Sequence, residues 1–218
     1  MTAPGAMAIS RALPIAVYLT GLPEFADMAG ARKGATFARR FQTTTLTPLE
    51  DDDLSAALQT FLLEGWDVPS DGGGITHVHM EPGAVEAIVH LCAGEPFLFQ
   101  LAGQQAWFAG TGTVITKEEA LTGWRAVRSE AAAHVERILA RLPPRERQLV
   151  EVMAELEPED RTLTRIAAEM GFAKGSDAGV TTAQRLDSSR GIIRRGKPYS
   201  FRHRAVEAYL TSDWPDVS

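Results

Sequence analysis

Two adjacent prolines, Pro143-Pro144 in LPPRERQLVEVMAELE, split this chain into helical stretches that no single helix can bridge. The pair removes two backbone donors and fixes φ near about −65°, so an arriving helix must stop and a new one must begin. Beyond the break the pattern reads as a helix, a short helix (LTRIAAEMG), a loop (FAKGS) and a third helix (DAGVTTAQRLDSS). Two short β-like runs around Gly196-Lys197-Pro198 and a last helix, RHRAVEAYL, follow. A domain boundary is expected at the prolines.

Three helices followed by a β-hairpin is the order of a winged helix-turn-helix. In LTRIAAEMG, Ile166, Ala167 and Met170 supply an apolar face, Ala167-Ala168 permits close helix crossing, and Gly171 ends the helix. The third helix is expected to turn Val180, Ala183 and Leu186 inward and Thr181, Thr182, Gln184 and Arg185 outward. Hydroxyl, amide and guanidinium groups on one helix face suit a major groove and its flanking phosphates. Arg194, Arg195 and Lys197 would be hairpin contacts to the same duplex.

Charge supports this placement. The whole chain carries −6, yet residues 185–204 hold seven basic side chains against one acid, Asp187. Such a stretch in an acidic protein is either an electrostatic footprint for phosphates or a solvated face.

Before the prolines, four helices are expected in a row. In TPLEDDDLSAALQTFLLEGW, Thr47 is the expected cap, Pro48 stands in the first turn and Glu50 lies three residues on, a capping box. Leu54, Leu58, Phe61 and Leu62 then recur at helical spacing. WDVPSDGGGITHVHM interrupts the pattern, EPGAVEAIVHLCAG resumes it, and further helices are expected from Pro96 to Ala109 and from a Thr116/Glu119 capping box toward Arg141. Gly94-Glu95-Pro96 is the usual junction of a glycine ending one helix and a proline opening the next. His77 and His79 would share a strand face, but no neighbouring cluster completes a metal site.

The N-terminal stretch LPIAVYLTGLPEF reads as a strand ending in Thr20-Gly21, of the kind found late in a nucleotide-hydrolysing α/β core. The pattern G-x-x-x-x-G-K-[ST] is missing from the sequence, as is an apolar strand ending in Asp-Glu for magnesium. Cys92 is the only cysteine, which excludes an internal disulfide, and the apolar run at residues 13–19 is far too short for a membrane span. A cytoplasmic setting with no membrane partner is expected.

Taken in order, LPIAVYLTGLPEF, ARRFQTTTLTPLEDDDLSAAL, AVEAIVHLCAGEPFLFQLAGQQAW, ITKEEA and LPPRERQLVEVMAEL resemble the C-terminal portion of AAA+ ATPases of the initiator-like, STAND-related kind, over roughly residues 9–211. The fold this implies is mainly α (α+β overall): a remnant of an α/β P-loop core (residues 1–46), a four-helix lid (47–141), a winged helix (142–212) and a tail (213–218). The resemblance implies that Thr20 is the polar sensor beside a γ-phosphate. It likewise makes Arg39 or Arg40 an arginine that reaches a phosphate, and has Pro96 and Phe97 contact the base or ribose. Where some members carry a lid arginine, this sequence has Pro96 and Phe97.

The leading expectation is therefore an AAA+-like ATP-binding protein, lid plus winged helix, not competent to hydrolyse ATP alone. ATP or ADP is the ligand implied by resemblance, and magnesium is not expected without the core's acids. The partners implied are double-stranded DNA through the winged helix, and an ATPase subunit or N-terminal half carrying the phosphate loop. A free-standing DNA-binding regulator, or a regulatory subunit donating Arg39 or Arg40 to a partner ATPase, are the alternatives.

Overall fold

The chain divides into two compact units, Met1–Thr44 and Thr45–Ser218. A computed structural model describes residues 49–70, 72–172 and 177–217, all in the second unit. The expected strand at residues 15–19, Thr20, Arg39, Arg40 and the Thr47 cap lie outside the described residues. The described part is mainly helical, with eight α-helices and two small sheets.

Helix α1 spans Asp51–Leu63 and starts three residues later than expected. Its cap is Glu50, whose backbone N–H donates to Asp53 Oδ2 at 3.1 Å. Asp53 holds the third position of the first turn, so it supplies the returning carboxylate that Glu50 was expected to give. The segment read only as an interruption is a hairpin: β1 (Trp66–Pro69) pairs antiparallel with β2 (Ile75–Met80), and Ser70 and Gly74 close the turn. Val78 and Met80 point into the core from β2 while His77 stays exposed, the period-two alternation of a half-buried strand.

Helices α2 (Pro82–Cys92) and α3 (Pro96–Ala109) follow as expected, each with proline in its first turn. Between them Ala93 as well as Gly94 is left-handed, with φ of 45° and 76°. A Cβ on Gly94 would sit 2.6 Å from an Arg204 nitrogen and 3.0 Å from the Leu49 carbonyl. Glycine is therefore required by backbone and by space together. After β3 (Val114–Ile115), parallel to β2, comes α4 (Lys117–Ala140).

The Thr116/Glu119 box expected at its start is present. Glu119 N–H donates to Thr116 Oγ1 at 3.3 Å and Thr116 N–H to Glu119 Oε2 at 2.9 Å. The Thr116 and Thr111 donors hold the Glu119 carboxyl at about 2, below its usual range.

Past the proline break stand α5 (Pro144–Glu155), a 3₁₀ turn (Pro158–Asp160), α6 (Leu163–Glu169) and α7 (Asp177–Ser188). A two-stranded hairpin of β4 (Ile193–Arg194) and β5 (Ser200–Phe201) leads into α8 (Arg204–Thr211). Gly171, at φ 72°, ends α6 as expected. Ile166 and Met170 are buried and Ala167 half-buried, but Ala168 is exposed, so Ala167 alone of the alanine pair borders α7, near Gly179.

The hairpin is fixed from beneath by Arg161. Its guanidinium donates to Glu207 at 2.6 Å and to the Leu156 carbonyl at 3.2 Å, and lies 5.1 Å from the Phe201 ring centre. One apolar core runs from Leu54 through Trp124, Leu149, Ile166, Leu186 and Ile193 to Val206.

Candidate nucleic-acid interface

The orientation of α7 follows from its apolar positions. Gly179, Thr182, Ala183 and Leu186 fall at i, i+3, i+4 and i+7, one stripe of a helix, and all four are buried. Val180, Thr181, Gln184 and Arg185 fall on the opposite stripe and are exposed. Two expectations are thereby corrected: Thr182, read as outward, is 8% exposed, and Val180, read as inward, is 41% exposed. The third-helix stripe is shifted by one residue because Gly179, rather than Val180, meets α6.

The basic stretch sorts into two groups. Four of its seven cations are neutralised within the fold: Arg190 by Glu146 at 3.1 Å, Arg195 and Arg202 by Asp187 at 3.1 and 2.7 Å, and Arg204 by Asp51 at 2.7 Å. Arg185, Arg194 and Lys197 are exposed and enter no ion pair among the described residues. Asp187, at the end of α7, ties the hairpin arginine Arg195 and the post-hairpin Arg202 back to that helix. The exposed set of Thr181, Gln184 and Arg185 on α7 with Arg194 and Lys197 on the hairpin offers cations and hydrogen-bonding groups with apolar cover behind them.

Pro96 and Phe97 stand elsewhere, at the head of α3. Phe97 stacks on the His134 ring, centroids 4.5 Å apart and 19° from parallel. Pro96 lines a cleft of about 100 Å³ together with Gly94, Glu95, Gly191, Arg202 and His203. Here the bundle of α1 to α4 meets the C-terminal elements. Glu95 Oε1 lies 3.1 Å from His134 Nε2 and Glu95 Oε2 lies 3.5 Å from His203 Nε2, so one carboxylate spans two rings.

Burial pushes the His203 imidazole below its usual range, partly opposed by the Glu95 charge. Sequence reading passed over His134, His203 and the bracing role of Asp187. Glu95 lies 39 residues from His134 and far outside local range of His203, and the partners of Asp187 lie 8 and 15 residues from it, so none leaves a local spacing.

His77 and His79 do share a face of β2, ring centres 6.4 Å apart, and His77 Nδ1 lies 2.8 Å from Asp67 Oδ1. Among the described residues no group of three or more His, Cys, Asp or Glu side chains could hold a metal ion, and no helix is long and apolar enough to cross a membrane. No protein-family model, no curated protein and no solved structure matches this chain.

Proposed function

We propose that the described unit is the lid and winged helix of an AAA+-like ATP-binding protein, and that its winged helix contacts duplex DNA. The observation that carries the DNA contact is the joint exposure of Thr181, Gln184 and Arg185 on α7 with Arg194 and Lys197 on the hairpin. In this reading α7 enters the major groove, Gln184 and Arg185 meet base edges or phosphates, and Arg194 and Lys197 track the backbone. Thr182 is removed by burial from the direct contacts expected of it, and Arg195 is paired with Asp187 in the free protein rather than presented to a duplex.

The ATP-linked part rests on the order of segments and on the sequence of residues 9–46. There Thr20 and Arg39 or Arg40 would sense nucleotide, with Pro96 and Phe97 at the lid. Because the sequence has neither a phosphate loop nor magnesium-binding acids of the required pattern, the chain is expected to need a partner polypeptide for turnover.

The DNA contact is tested with a benzophenone attached through Gln184→Cys on α7 and, as a comparison, through Glu86→Cys on the exposed face of α2. Cys92 is buried and does not compete for the label. Photo-crosslinking of a labelled duplex from position 184 and not from position 86 is the expected result. Equal yields from both positions, or none from either, would reject the reading.

A further inference from the structure

Asp187 is the single acid within residues 185–204, and it stands inside the surface just described. Its carboxylate takes two guanidinium groups, one on each oxygen: Arg195 Nε on Oδ2 at 3.1 Å and Arg202 Nη2 on Oδ1 at 2.7 Å. The two are not held equally. Arg202 makes a second bond, Nη1 to the Asp187 carbonyl at 3.4 Å, and its backbone N–H is tied to Ile192 at 2.9 Å. Arg195 has one bond, and its side chain is 38% exposed against 20% for Asp187.

Two cations on one anion leave a surplus positive charge, so one arginine can leave without exposing an unpaired carboxylate. The more weakly held one is Arg195, the neighbour of the exposed Arg194. Guanidinium pairs with phosphate as it does with carboxylate, so exchange of one anion for the other keeps Arg195 satisfied. If Arg195 did not exchange, it would add nothing to phosphate binding.

We propose that Asp187 sets the strength of duplex binding by holding Arg195 in reserve: DNA phosphate displaces Asp187 from Arg195, while Arg202 stays and keeps Asp187 neutralised. This inference rests on the DNA-contact reading above. In the free protein Asp187 competes with phosphate for Arg195 and lowers affinity; in the complex it anchors the hairpin base through Arg202.

The test is the affinity of a fluorescent duplex for the full chain across a salt series. Asp187→Asn keeps the side-chain shape and removes the competitor. It is expected to bind roughly 3- to 10-fold tighter, and its plot of log affinity against log salt is expected to match wild type or be steeper. Arg195→Ala is expected to flatten the wild-type slope by about 1, the loss of one phosphate contact.

Asp187→Asn binding no tighter than wild type, with an unchanged melting temperature, would overturn the proposal. Should that variant melt lower, Arg195→Ala decides, and a slope equal to wild type overturns it. Absence of duplex binding by the wild-type chain would instead remove the DNA-contact reading and this inference with it.

Discussion

The indole N–H of Trp214 donates to the Leu91 carbonyl at 2.9 Å, joining the last residues of the chain to the end of α2. Trp214 also meets the Tyr209 ring edge-on at 6.5 Å and lies 6.0 Å from the Trp124 ring, whose own N–H donates to the Pro215 carbonyl at 2.8 Å. Residues 213–217 are thus a clasp across α2 and α4 rather than a loose end.

Trp214→Ala is expected to lower stability by about 2 kcal/mol, below the full-burial range because the ring is only half-buried. Urea unfolding followed by far-ultraviolet circular dichroism checks this. A change within about 0.5 kcal/mol would show that the clasp is ornamental.

Gly123 lies where α4 crosses α3. A Cβ there would overlap the Gln105 carbonyl group and come within 2.9 Å of Ala106 N. In an exposed helix, alanine for glycine gains about 1 kcal/mol. Here backbone meets backbone and neither can yield cheaply, so Gly123→Ala is expected to destabilise by about 2 kcal/mol or more. A stabilised variant in thermal unfolding would mean that the two helices are not in the close contact described.

His203 gives stability a pH dependence of known sign. Burial is the larger influence and favours the neutral ring, so the folded protein binds a proton less readily than the unfolded chain. Its contribution is fully present above the unfolded pKa, about 6.5, and is lost as pH falls through the lower folded value. Wild type is expected to lose more melting temperature between pH 7.5 and 5 than His203→Gln. Equal losses would show that the Glu95 attraction cancels the burial.

Much of the helix order was legible because prolines and caps are local signals. Pro96, Pro144 and the Thr116/Glu119 box mark helix starts within one turn of chain, and all three stand where expected. The hairpin of β1 and β2 was hidden because WDVP is only four residues long and ends in proline, and its partner ITHVHM follows a glycine run readable as a plain break.

The candidate interface was legible as a composition, seven cations near one acid, but not as a surface. Which cations face solvent depends on Asp51, Glu146 and Asp187 reaching them, and Asp51 is 153 residues from Arg204. The one-residue error in the α7 stripe has a different cause. Thr182 is a small polar residue that tertiary packing covers, and Val180 is an apolar residue that it leaves out.

Removal of the exposed cations isolates the electrostatic part of duplex binding. Arg185→Ala/Arg194→Ala/Lys197→Ala changes three groups that hold no ion pair among the described residues, so the fold is expected to keep its melting temperature within a few degrees.

The most direct measurement is therefore the salt dependence of duplex affinity for wild type and this triple variant. If α7 and the hairpin hold the phosphate backbone, the slope of log affinity against log salt becomes shallower by about 2 to 3, at about 0.9 per lost phosphate contact. A triple variant that binds duplex with the affinity and slope of wild type would contradict DNA contact by this surface.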